Sequence, residues 1–165
     1  MAGSGVIGVH MSATDRYRQA VYHAEDQWSA ILDRGGTVDF FGSTITVPVQ
    51  MKFSSLGHVK RYVAHVCRSH GIPEPGVRHR RGGTRAHYEV REDGAVIAIP
   101  SDEPWAMRES VVLHEISHHA CSSKNGTTDH DAQFAATMLS IVHAQLGLEA
   151  ELLLRTGYHS AGVPT

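Results

Sequence analysis

Apolar positions along the chain fall into helical and alternating stretches in turn. From Ser12, the residues Tyr17, Ala20, Val21, Ala24, Trp28, Ile31 and Leu32 recur at the three-and-four spacing of one helix face, and Gly35-Gly36 ends the run. Ser12 is placed to cap this helix, with Asp15 three residues on. TVDFF and STITVPV, on either side of Gly42, are rich in β-branched and aromatic residues and predict two short strands joined by a turn. Pro48 keeps the second near an edge. The helical period returns from Ser55 through Leu56, Val59, Val63, Val66 and Cys67, and stops at Gly71 before the breaker-rich IPEPG.

Next, VRHRR and TRAHYEV flank Gly82-Gly83, and Asp93-Gly94 joins the second run to AVIAI. Two turn signals between three strand-like runs predict a three-stranded meander, closed by Pro100. The remainder predicts helices over roughly 104–121, 129–145 and 147–155. This order implies an α+β fold, with the sheet between the first two helices and the last three. Residues 1–11 carry no period and read as a flexible arm, Met11 being a candidate start, so that 12–165 form the single domain.

Composition narrows the function classes. At 165 residues the chain can bury a core without disulfides, and a net charge of -2 gives no global attraction to nucleic acid or anionic lipid. Cys67 and Cys121 form no CxxC pair, and neither a secretory leader nor an apolar run of about 20 residues is evident, so the expected compartment is cytoplasmic. Histidine stands out, at 13 of 165 residues.

Several of those histidines lie in VVLHEISHHACSSKNGTTDHDAQF, residues 111–134. His114, Glu115 and His118 form an HExxH pattern. On a helix, at about 100° per residue, His118 falls roughly 40° and Glu115 roughly 100° from His114. Val112, Leu113, Ile116 and Ala120 take the opposite arc, so one face anchors in a core while the other presents two imidazoles and a carboxylate. Chance alone yields an HExxH in a chain of this composition roughly 5% of the time, so a further donor must carry the metal reading.

His130 is that donor. The short CSSKNGTT connection predicts a helix hairpin, with Thr128 or Asp129 capping the second helix and His130 in its first turn, where the helix dipole keeps the ring neutral. Asp129 and Asp131 are candidates to orient a ligand imidazole or to replace His130 as the third ligand. Glu149 and Glu151 are more distant alternatives. Cys121 reads as a small buried residue and His119, off the ligand arc, as a supporting or structural one. The remaining histidines have no metal spacing.

The same segment resembles the active-site region of minimal zincins, and of SprT-like metalloproteases in particular, where HExxH is followed by a third histidine in an HxxxF-type element. Here that element is His130-Asp131-Ala132-Gln133-Phe134. The likeness covers about twenty-five residues. It implies a zincin-like domain with His114, His118 and His130 holding one catalytic Zn2+ and Glu115 as the catalytic carboxylate. Asp131 stands where glycine is usual, and the cysteine-rich ribbon of many SprT-like proteins has no counterpart, so their DNA-linked substrates are not carried over.

The expected function is therefore a zinc metallopeptidase acting through a water activated by Glu115, on a peptide or protein substrate. Candidate oxyanion donors are Tyr158 and His159, or Tyr88 and His87 in the meander. AVIAI offers an edge for an extended peptide. The basic run RHRRGGTR reads as a solvated hairpin ahead of a phosphate-binding one, and no membrane partner is expected. Two alternatives stand beside the peptidase: a noncatalytic zinc module closed by a fourth ligand such as Cys121 or Asp131, and a zinc hydrolase of non-peptide amides.

Overall fold

The computed structural model describes residues 15–165; the arm at 1–11 and the capping Ser12 lie outside the described residues. Helix α1 (Arg18–Arg34) leads into a hairpin of β1 (Gly36–Phe40) and β2 (Ser43–Val47), then α2 (Leu56–Ser69). Strands β3 (Gly76–His79), β4 (His87–Arg91) and β5 (Gly94–Ile99) follow. A 3-10 turn at Pro104–Met107 precedes α3 (Glu109–Asn125), α4 (Ala132–Leu146) and α5 (Leu148–Ser160). The class is α+β, as the order of patterns implied.

Local chemistry accounts for most element ends. Ser55 caps α2, its side chain accepting from the His58 N–H. Gly126 ends α3 in the left-handed region at φ 69°, its N–H bonded to the Ser122 carbonyl. The β1–β2 turn has only Phe41 and Gly42 between paired strands, both at positive φ (52° and 83°), the geometry that matches the twist of a two-residue hairpin.

The second sheet departs from the expected meander. Its order is β3-β5-β4, with β3 parallel and β4 antiparallel to β5. Gly82-Gly83 therefore does not join neighbouring strands; the loop carries the chain across to the far side of β5. The reason lies in burial. Ile97, Ala98 and Ile99 are wholly buried, and a strand buried on both faces belongs in the middle, while the half-polar β3 and β4 tolerate an edge. As a consequence AVIAI presents no free edge, which corrects the peptide-docking expectation for that strand.

The sheet also does not stand between two groups of helices. Helix α1 packs directly on α5 and reaches α3: the Trp28 indole donates to the Ala150 carbonyl at 3.0 Å, and the Ser29 and Ser110 hydroxyls are 2.8 Å apart. Val21, Ala24, Trp28 and Leu32 bury α1's apolar stripe there. Surrounded by α1, α4 and β4, α3 is buried through nearly all of residues 109–121, the face that carries His114 and His118 as well as its apolar one. No described helix is long and apolar enough to cross a membrane.

Candidate metal centre

His114 and His118 sit one turn apart on α3, and the α3–α4 connection brings His130 onto the same point. The three Nε2 atoms form a triangle with every side 3.1 Å. Donors about 2.0–2.1 Å from one ion in a tetrahedral set lie roughly 3.3 Å from each other, so this triangle has the size of a ligand set.

Proton bookkeeping sharpens that reading. His114 Nδ1 faces the Glu25 carboxylate at 2.6 Å, and His130 Nδ1 faces Asp15 at 2.5 Å. Each Nδ1–H is donated to its carboxylate, which leaves the Nε2 of each neutral ring as a lone pair. Two lone pairs aimed at each other across 3.1 Å repel unless a cation stands between them. Burial and the neighbouring imidazoles also press the His114 and His118 pKa values well below the ordinary histidine range, holding these rings in the metal-binding form. These three residues could hold a metal ion. His118 Nδ1 is buried and has no partner among the described residues.

The carboxylates that orient the imidazoles come from the N-terminal part of the chain. Asp15 accepts both the His130 backbone N–H, at 3.0 Å, and the Nδ1–H, so it fixes backbone and ring together. Glu25 in turn receives the Tyr158 hydroxyl at 2.5 Å, and its carboxyl is pushed up to about 7, chiefly by burial and against the pull of that hydrogen bond. Sequence reasoning passed over both roles. Asp15 lies at the start of the first helical period and Glu25 among the apolar positions of α1; a carboxylate on a buried helical stripe is the signal for such a role.

Glu115 is buried beside His114, and its carboxyl is raised to about 8, mainly by burial and then by the charge of Glu25; a hydrogen bond from the Tyr88 backbone opposes this. It lines a cleft with Tyr22, Asp26, Ser29, Arg85, Trp105 and Val111. The cavity there is about 70 Å³, well below the roughly 300–1,000 Å³ of pockets that enclose a whole small-molecule ligand. Tyr22 lies over the site, its ring stacked on His114 with 5.1 Å between centroids and 5.0 Å from His130. Its hydroxyl is pushed up to about 12, by burial first and the Glu115 charge next.

Other candidates have other work. Helix α4 begins at Ala132, so His130 stands just before it and not in its first turn; the cap is neither Thr128 nor Asp129 but Asp131, whose side chain accepts from the Phe134 N–H at 2.9 Å. Asp129 makes no side-chain hydrogen bond to an imidazole among the described residues, and the orienting role belongs to Asp15. His119 ties α3 to the sheet through the Pro73 carbonyl (2.6 Å) and the Tyr88 hydroxyl (3.2 Å). The Tyr158 hydroxyl is buried on Glu25, and His159 is exposed. Glu151 pairs with Arg155 and His143 on the surface side of α5. In the basic run, Arg78 pairs with Glu89, Arg80 binds the Arg85 carbonyl, and Arg85 covers Tyr22 at 3.7 Å from the ring centroid.

No known protein family, characterised protein or solved structure matches the chain.

Proposed function

We propose that this chain is a zincin-type, zinc-dependent hydrolase acting on peptide bonds. The observation that carries the reading is the 3.1 Å triangle of three Nε2 atoms, two of them freed for coordination by carboxylates on their Nδ1–H groups, with a buried glutamate on the next residue of the same helix. An all-imidazole set suits borderline metals, and three histidines with an open position are a catalytic zinc arrangement. Zinc bound there would supply Lewis acidity, polarising a carbonyl and acidifying a water.

The chain's own residues supply the rest. Glu25 and Asp15 hold two ligand rings in one tautomer and orientation, so binding costs little rearrangement. Glu115 is the proton carrier: buried on the residue next to His114 and lining the cleft, its carboxylate stands where it can take a proton from the attacking water and pass it to the leaving amine. Strand β4 is an edge strand among the described residues and lies beside the site, its Tyr88 backbone bonded to Glu115, and the rest of its outer edge would pair with an extended peptide.

One observation favours this over a closed structural site. Cys121 is engaged with Thr137 and the Gln133 carbonyl, and Asp131 with the α4 N-terminus, so neither candidate fourth ligand is turned to the triangle. The test is metal content by mass spectrometry with peptide-library digestion. His130→Ala is expected to lose zinc, and Glu115→Gln to keep zinc and lose hydrolysis. Full zinc occupancy in His130→Ala would overturn the ligand set, and undiminished cleavage by Glu115→Gln would overturn the mechanism.

A further inference from the structure

We propose that Tyr22 is the second electrophile of this site, its hydroxyl donating a hydrogen bond to the oxyanion that forms when water adds to the substrate carbonyl. The inference rests on the hydrolase reading above and assigns a role that the motif leaves open. A ring fixed against two ligand imidazoles is well placed for it: Tyr22 stacks on His114 at 5.1 Å with 21° between the planes and lies 5.0 Å from His130. The Arg85 guanidinium, 3.7 Å from the ring centroid, covers it, and the ring lines the same cleft as Glu115. Arg85 and the imidazoles thus hold the phenol without using its oxygen.

Availability of the hydroxyl separates Tyr22 from the three buried tyrosines. Tyr158 donates to Glu25, Tyr62 donates to Glu109, and Tyr88 is bonded to His119. The Tyr22 hydroxyl has no hydrogen-bond partner among the described residues, although the ring is only partly exposed. A donor held in place yet unengaged is what transition-state stabilisation asks for, because it costs no reorganisation when charge develops.

In the step itself the water oxygen bonds to the carbonyl carbon, its proton goes to Glu115, and the C=O π pair moves onto the carbonyl oxygen. Tyr22 hydrogen-bonds that oxygen and keeps its own proton. When the pair returns, the C–N bond breaks and the proton on Glu115 passes to the leaving amine. Tyr22→Phe removes only the donor.

The expected result for zinc-loaded Tyr22→Phe is a kcat lower by about 100-fold or more with KM changed less than about threefold. Zinc content and melting temperature should match wild type. A second arm uses inorganic phosphate, a tetrahedral anion, titrated against the cobalt-loaded protein by visible absorption; Tyr22→Phe should weaken it about tenfold. Kinetics and phosphate affinity both within twofold of wild type would overturn the assignment, as would loss of metal from the variant. A wild type that cleaves no peptide, with phosphate still weakened in Tyr22→Phe, would sink the peptidase reading while supporting Tyr22 as the anion donor.

Discussion

Two buried polar clusters lie on α3, one at its start and one a turn further along, and they are finished differently. At its start, Glu109 accepts the Met51 N–H at 2.8 Å and the Tyr62 hydroxyl at 2.5 Å, while Gln50 accepts the Ser110 N–H at 3.0 Å and donates to Asp33 and Ser29. Every strong donor meets an acceptor, and the network fastens the segment after β2 to α2 and α3. One turn further on, Glu25 and Asp15 also hold polar groups in place, but what they hold are rings whose other nitrogens converge. The first cluster closes on itself. The second directs lone pairs into one space, and a buried network left open in this way implies a ligand more than a scaffold.

The comparison can be broken most forcefully at the closed end. Glu109→Ala strands the Tyr62 hydroxyl and the Met51 N–H, at about 1–3 kcal/mol each, so a loss of roughly 2–6 kcal/mol and of the order of 10 °C in Tm is expected. Metal affinity of the folded protein should be unchanged. Calorimetry with and without zinc checks this, and a large drop in affinity would erase the division between the clusters.

A pH series sharpens it. Glu115 in the metal-free fold has its pKa raised to about 8 from 4.5, so the folded state holds the proton more tightly than the unfolded one. That contribution to stability is fully present below about pH 4.5 and is lost as pH rises through about 8. Glu115→Gln cannot lose it. The stability advantage of Glu115→Gln over wild type, both metal-free and read by denaturant unfolding, should therefore widen from pH 6 to pH 8, by roughly 2–3 kcal/mol at about 1.4 kcal/mol per unit. A constant gap would mean that Glu115 ionises freely.

Smallest are the effects at the open end's supports. Glu25→Gln should weaken zinc by about 10- to 100-fold in competition with a chelator, the usual cost of losing a carboxylate behind a ligand histidine. Asp15→Asn should fall at the lower end, because its side chain is 20% exposed and water can replace part of its bond. An unchanged affinity in both would leave the carboxylates with a packing role alone.

The contrast also marks which parts of the molecule were legible in one dimension. The HExxH pair, the helix that carries it, the β1–β2 hairpin and the start of α2 near Ser55 were all readable, since each depends on residues within one or two turns. His130 was legible as a neighbour through the short connection, although its place just before the Asp131 cap was not. The central position of β5 had a signal in its continuous apolar run, but the glycine pair before β4 outweighed it. Turn residues describe a local bend and cannot specify which strand lies beyond it.

By itself, then, the sequence determined the histidine spacing on α3, because four residues of helix return a side chain to nearly the same face whatever surrounds it. Only the tertiary structure decided which carboxylates stand behind those ligands and which tyrosine covers them. Glu25 meets His114 across 89 residues and Asp15 meets His130 across 115. No periodicity relates positions so far apart; they meet because α1 buries its apolar stripe with α5 packed on it, and the carboxylates are carried in beside α3.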